Sequence, residues 1–426
     1  MRGRGQERRG RRRGRRAALL AALPLLLLLP AAAPVSFEQA VNQAWRRSPD
    51  LASLDARRRT ALARMDAARS LFPGAPTLTG TYFDDHFIGS NEGYTTYQAE
   101  LSTPVWLPGE GTANETVAAD DARGLAAERG GLRLAVAAQV LSATAEARFS
   151  QRQLLLARAR RDAAARLAAA MTRAVHTGEL ARIDADAARA ERDSAELACN
   201  AAEARLLNAI ATLRSLTGLS DIPRLPDASL AQLAAVSSRP GGPASDVSGA
   251  AEDDPRLEAA RRRLQSARET LHLVRITPID DPQVGVYGLR DRQYQSPWDT
   301  RVGVELQIPL PSTARNEPRL AGAEGEVTRA EAELVRLQRS ITLARSEAET
   351  GLAAARLSLR DARDAAAALD HRAAVMDKGW RVGEVPLIEL VRARQSAFDA
   401  DLQRERAAIG LQAAVLQVSL AVGVVP

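Results

Sequence analysis

The sequence predicts a mainly helical fold with a small β part, built as one unit of helix, strand pair and long helical hairpin that is written twice. Three observations predict it. Landmark residues recur at a nearly constant offset: Pro49 and Pro255 stand 206 apart, Pro76 and Pro282 also 206, Pro104 and Pro309 205, Gly178 and Gly383 205. Proline-poor runs rich in Ala, Arg, Leu and Glu, all good helix formers, follow the third landmark in each copy. Four short segments of alternating character precede those runs in pairs.

The chain of 426 residues opens on "MRGRGQERRGRRRGRR", with nine Arg and one Glu, followed by the apolar block "AALLAALPLLLLLPAAAPVS". A basic start, an apolar middle and an Ala-rich exit read as a secretory signal over residues 1–33, cut near Ala33. An uncleaved anchor and a basic nucleic-acid arm are the alternatives. The formal charge of +6 belongs to this leader: without it 49 basic residues face 51 acidic ones, a net near −2, which removes the main support for nucleic-acid binding. Lys378 is the sole lysine, so the arginines do not read as a phosphate-binding device. The lone Cys199 excludes an intramolecular disulfide.

Residues 34–218 form the first repeat and 255–426 the second. The Pro/Gly/Ser-rich stretch "SSRPGGPASDVSGAAEDD" lies in the connector 219–254. Each repeat begins with a helix and then alternates. In "RVGVELQIPL", Val302, Val304, Leu306 and Ile308 oppose Gly303, Glu305 and Gln307; in "YQAELST", Tyr97, Ala99 and Leu101 oppose Gln98, Glu100 and Ser102. "PTLTGTYF" alternates as well, whereas "QVGVYGL" is the least clear. The polar loops "DDHFIGSNEG" and "RDRQYQSP" join each pair. From about Asn114 to His176 no proline occurs, which predicts a helix on the order of 90 Å long. A 4-3 seam runs along it through Val136, Val140, Ala143, Ala147, Ser150, Leu154, Ala157, Arg161, Ala164, Ala168, Met171 and Val175. Small seam residues favour close, shallow packing and an extended assembly.

Four strands cannot close a barrel, and an open sheet edge in a bilayer leaves backbone groups unsatisfied. Copies could close it together: two would supply eight strands, three twelve around an open lumen. Gln98, Glu100, Glu305 and Gln307 would then face the lumen and the valines and leucines lipid. Trp106 and Trp298 beside strand ends read either as interfacial aromatics or as ordinary packing.

The long helices break at "HTGELARIDAD" and "RVGEVPLIELV". Gly tolerates the left-handed turn that ends a helix, and the following Glu suits the start of the next one. Pro386 reads as first-turn proline. Each break thus predicts an antiparallel hairpin with an exposed tip, formed by Gly178, Glu179 and Leu180 and by Gly383, Glu384 and Val385.

This pattern resembles the TolC-type outer membrane efflux proteins along essentially the whole chain after the leader. The passages "TPVWLPGEG" and "IPLPSTARNEPRLAGAEGE" look most like the branch that includes the CzcC-like metal-efflux components. The resemblance implies a homotrimer with a twelve-stranded barrel in the outer membrane of a Gram-negative-type bacterium and an α-helical tube across the periplasm. It further implies a passive exit duct of a tripartite RND-type efflux system, docked at its helix tips to a periplasmic adaptor and served indirectly by an inner-membrane transporter. Asp184 and Glu389 match pore-facing acidic positions of the family, while Arg392 stands where some members carry a second acid. Glu179 and Glu384 replace the Leu that usually follows the tip glycine. A type I secretion channel and a soluble periplasmic coiled-coil scaffold are the alternatives.

An enzyme is not expected. No Gly-Lys-Ser/Thr phosphate loop occurs, and the four histidines are dispersed without ligand spacing. "DDH" at Asp84–His86 lies in a hairpin loop, and Cys199 reads as a small residue at a helix contact. No cofactor is implied.

Overall fold

The computed structural model describes residues 35–85, 93–178, 181–226 and 254–425. The leader, most of the connector, His86, Glu179 and Leu180 lie outside the described residues. The elements are α1 (Phe37–Arg47), α2 (Pro49–Ala68), β1 (Thr77–Asp84), β2 (Thr95–Pro104), α3 (Glu110–His176), α4 (Arg182–Thr217), α5 (Pro255–Ile276), β3 (Gln283–Arg292), β4 (Asp299–Gln307), α6 (Thr313–Arg381) and α7 (Leu387–Ala421).

The expected first helix is two. Ser36 caps α1 in a reciprocal box with Gln39. The chain then breaks at Ser48 because Pro49 favours a first-turn position and disfavours helix in the residue before it. Pro255 starts α5 in the same way, with the Asp254 carboxylate accepting from the Arg256 N–H.

α3 and α6 run for 67 and 69 residues, each about 100 Å long. Nine of the twelve seam positions on α3 are buried, from Val140 to Met171. Leu154 and Ala157 close on Cys199 and Ala202 of α4, so the cysteine is indeed a small residue at a helix contact. Arg161, the charged seam residue, escapes by reaching out to Asp162 at 2.9 Å. The helices lie side by side in two rows. Towards the sheet the order is α2, α3, α5, α6; towards the tips it is α4, α3, α7, α6.

On α7, Asp401 is pushed above the usual carboxylate range, first by burial and then by Asp370, against the pull of Arg404 at 2.9 Å. A raised value means that the folded chain holds this proton more tightly than the unfolded one, so the group's stabilising contribution is present at low pH and is lost as pH rises through its folded pKa. Asp401→Asn is therefore expected to raise the melting temperature at pH 7 and to have no effect below about pH 4. Thermal melts of both proteins at the two pH values check this.

The four strands form one antiparallel sheet in the order β1-β2-β3-β4. β3 runs on to Arg292, through the first residues of the segment read as the loop "RDRQYQSP". Its glycines blur the alternation for a packing reason. A Cβ on Gly285 would lie 3.1 Å from Ser102 Cβ and 3.2 Å from Glu100 Oε1, and one on Gly303 of β4 would lie 2.5 Å from the Tyr287 ring.

Candidate functional site

The sheet is inverted relative to a soluble one. Register sets Leu78 against Leu101, Leu101 against Val286, and Val286 against Val304, and that whole face is open. Val302 is 78% exposed, Val304 75% and Leu306 61%, whereas Thr96 and Ser102 on the opposite face are each 7% exposed. Gln98, Glu100, Glu305 and Gln307 share this polar face by strand parity, and Glu100 reaches across Gly285 to Glu305. Apolar outside and polar inside is the pattern of a strand set that meets lipid on one side and water on the other.

Aromatic residues cross the apolar face at its loop end. The Tyr82 ring lies 5.1 Å from Tyr97, and Tyr97 lies 5.9 Å from Trp298, over which Arg290 and Arg292 stack at 5.0 and 5.8 Å. Trp298 thus joins the exposed aromatic row at the strand ends. Trp106 does not: its Nε1–H donates to the Ser70 carbonyl at 2.9 Å and its ring packs near Gly111, so it locks the passage from β2 into α3. Glu110 finishes that passage by accepting the Leu107 N–H at 3.0 Å after Gly109 has turned the chain with φ +82°.

At the far end of the helices stand the two tips. Gly178 and Gly383 carry φ of +78° and +81°. At the second tip the Gly383 N–H donates to the Trp380 carbonyl at 3.0 Å and the Glu384 N–H to that of Gly379 at 2.9 Å, the paired bonds of a Schellman turn. Val385 folds back onto Gly379, where a Cβ would lie 2.7 Å from its methyl, so it pins the turn while Glu384 stays exposed. Pro386 takes the N-cap of α7, one residue before the expected first turn. Gly383→Ala is expected to cost about 1–2 kcal/mol, because an L side chain is strained at this φ. Gly351→Ala, in mid-helix with open space around it, should instead stabilise by about 0.5–1 kcal/mol. Denaturant titration of the two variants separates the outcomes.

Asp184 lies in the first turn of α4 and Glu389 in that of α7. Arg392 pairs with Glu389 of its own helix at 2.8 Å. The ion pair that does cross the second hairpin was not found from the sequence: Asp377 of α6 accepts from Arg394 of α7 at 2.5 Å and from Arg381 at 2.7 Å. Exposed isoleucines at matching positions, Ile183 and Ile388, were missed as well, and Val382 is 71% exposed beside the second turn. Both hairpins meet behind the tips in one apolar cluster of Leu167, Met171, Ala185, Ala188, Leu387 and Leu390.

Among the described residues, no three His, Cys, Asp or Glu side chains converge as a metal site, and no helix is long and apolar enough to cross a membrane.

Residues 40–219 match the family model described as outer membrane efflux protein. The chain is similar to the cobalt-zinc-cadmium resistance protein CzcC of Cupriavidus metallidurans, with 26% identity over 313 residues, 72% of each chain. In fold it is similar to a membrane protein from Pseudomonas aeruginosa, with TM-score 0.73 and 19% identity over 92% of this chain and 91% of that one. It is also similar to the channel protein CusC, with TM-score 0.72 and 14% identity over 91% and 92%. The outer membrane channel CmeC of Campylobacter jejuni gives TM-score 0.72 and 14% identity over 91% and 85%. The match of residues 40–219 to that family model and this shared architecture agree with the inverted sheet: the chain is similar to the outer membrane efflux proteins and shares the fold of such channels.

Proposed function

We propose that three copies of this chain form an exit duct in the outer membrane of a Gram-negative-type bacterium, passively conducting small solutes delivered by a tripartite RND-type efflux system. The carrying observation is the sheet, whose bare face is apolar and whose opposite face carries Gln98, Glu100, Glu305 and Gln307. Among the described residues β1 and β4 are both unpaired edges, and in hydrocarbon each must find a partner strand. Three copies joined edge to edge supply twelve strands and a lumen lined by Gln98, Glu100, Glu305 and Gln307. Residues 1–33 serve as the export leader, 34–218 and 255–426 as the two repeats, and 219–254 as their connector.

Below the barrel, the long hairpins carry the duct across the periplasm. The tips present Gly178, Glu179 and Leu180, and Gly383, Glu384 and Val385, to a periplasmic adaptor, with Ile183, Val382 and Ile388 adding the apolar contact area. Asp184, Glu389 and Arg392 line the constriction. The relation to CzcC, named for cobalt, zinc and cadmium resistance, favours metal cations as cargo. An inner-membrane transporter supplies the energy through the adaptor.

Fractionation tests this reading. The protein should extract from outer membranes only with detergent, as a trimer. Monomeric protein released by osmotic shock would instead mean a soluble periplasmic scaffold.

A further inference from the structure

We propose that copies of this chain join through α2 of one and α6 of the next, in the register that α5 and α3 already use within a single chain. The proposal rests on the trimer described above and assigns its contact residues.

Two rows of equivalence carry it. α2 and α5 correspond at an offset of 206, and each begins at its proline, Pro49 or Pro255. α3 and α6 correspond at 205, from Pro104 and Pro309 before them to Gly178 and Gly383 after them. In the row α2, α3, α5, α6, the α3–α5 contact is complete inside the chain, while among the described elements α2 meets only α3, and α6 only α5, within that row.

The observed α3–α5 contact has four parts. Glu128 pairs with Arg263 at 2.9 Å. The Ser266 hydroxyl donates to Asp121. Gly131 lies beside Arg256, where a Cβ would stand 3.3 Å from Arg256 Cγ, and Gly124 lies beside Arg262, where a Cβ would stand 3.4 Å from its Cβ.

Carried over to α6 and α2, each part finds chemistry that fits. Glu333 meets Arg57, and Glu326 meets the Thr60 hydroxyl. Arg336, in the place of Gly131, meets Asp50, in the place of Arg256. Arg329 meets Ala56, so the long side chain has changed sides with the small one. Two opposite-charge pairs, one hydroxyl–carboxylate pair and one size exchange therefore arise at positions fixed before their residues are read. All eight side chains are exposed in the single chain. Glu333 now pairs with Arg336 at 3.0 Å and Glu326 with Arg329 at 2.5 Å, each one turn away on the same helix. Arg57 reaches back to Glu128 at 3.4 Å, a longer contact than Arg263 makes with the same residue.

The subunit contact differs from its template in closeness. A Cβ on Gly130 would lie 2.5 Å from Pro255, so α5 can rest on α3 only over glycine. Val335 and Pro49 hold those places between copies and keep α6 and α2 further apart, a gap that the long charged side chains span. In the closed ring Arg57 and Arg263 alternate with Glu128 and Glu333 around the wall, and exposed pairs of this kind weaken as salt rises.

Cross-linking tests the register. Asp50→Cys and Arg336→Cys are placed in one chain that also carries Cys199→Ala, and outer membranes are treated with a short bismaleimide. Covalent dimers and trimers are expected on denaturing electrophoresis. Either cysteine alone should give none, and neither should Asp50→Cys with Gln338→Cys, which lies on the opposite side of α6. A Cys199→Ala parent that is trimeric in detergent, with no cross-link from the pair, would overturn this contact and leave the trimer standing. A monomeric parent would overturn both. Should the cysteine pair fail to assemble, the charge exchange decides: Asp50→Arg is expected to lower the dissociation temperature of the trimer, and adding Arg336→Asp to restore it. No recovery in the double variant would overturn the proposal.

Discussion

Replacing Val304 by arginine is expected to abolish recovery of the protein from membranes as a detergent-stable oligomer. Val304 lies mid-strand on β4, paired with Val286, and is 75% exposed on the apolar face. Arginine on the lipid face of a barrel costs about 2–4 kcal/mol near the bilayer midplane. In the proposed trimer three copies suffer the cost together, and marginal folding free energies leave little to absorb it. The neighbouring Glu305→Gln supplies the contrast. It changes the opposite, polar face and removes one carboxylate from the pair that reaches across Gly285. Its oligomer should form normally and conduct with weaker preference for cations. Heat-modifiable mobility on electrophoresis reads the first effect and reversal potential the second. Equal tolerance at both positions would mean that the valine face does not meet lipid.

Leu390→Ala is the second change of large effect. Leu390 is fully buried where the two hairpins meet, among Leu167, Met171, Ala188 and Leu387. Truncating such a leucine costs about 2–5 kcal/mol, the spread depending on how far the cavity collapses. Its neighbours on α3 and α4 belong to the first hairpin, so the loss should loosen one hairpin on the other as well as lower the melting temperature. Under the duct reading, the resting conductance of the variant rises. Ile388→Ala, two residues away and half exposed, should leave the melt unchanged within about 0.5 kcal/mol and weaken adaptor binding instead. Calorimetry and binding to an immobilised adaptor distinguish the two variants.

The helices were legible because their information is local and repeated. The seam from Val140 to Met171 recurs every three or four residues, and packing against α4 and α7 buries it as the period demands. The strands were legible for the same reason wherever alternation is strict, as in "RVGVELQIPL". β3 was the least clear because Gly285 and Gly288 interrupt it, and Gly285 is small for the sake of Glu100 and Ser102 on the next strand.

What the sequence hid depends on register or on reach across space. The row Tyr82, Tyr97, Trp298 comes from three strands and is visible only when their pairing is known. Asp377 and Arg394 lie 17 residues apart on two helices, and nothing in either neighbourhood marks them as partners. Ile183 and Ile388 carried a signal that could have been used: they stand 205 apart, the offset of the two breaks, and each lies in the first turn after its tip. The split at Ser48 was equally available from Pro49, whose twin Pro255 opens a helix.

The central claim is that these strands enclose water once copies share their edges, and single-channel recording tests it most directly. Oligomer purified in detergent and added to a planar lipid bilayer should give discrete, ohmic current steps, with Glu305→Gln shifting their ion selectivity. Bilayers that stay silent with oligomer demonstrably inserted, in the wild type and in Leu390→Ala alike, would contradict the claim.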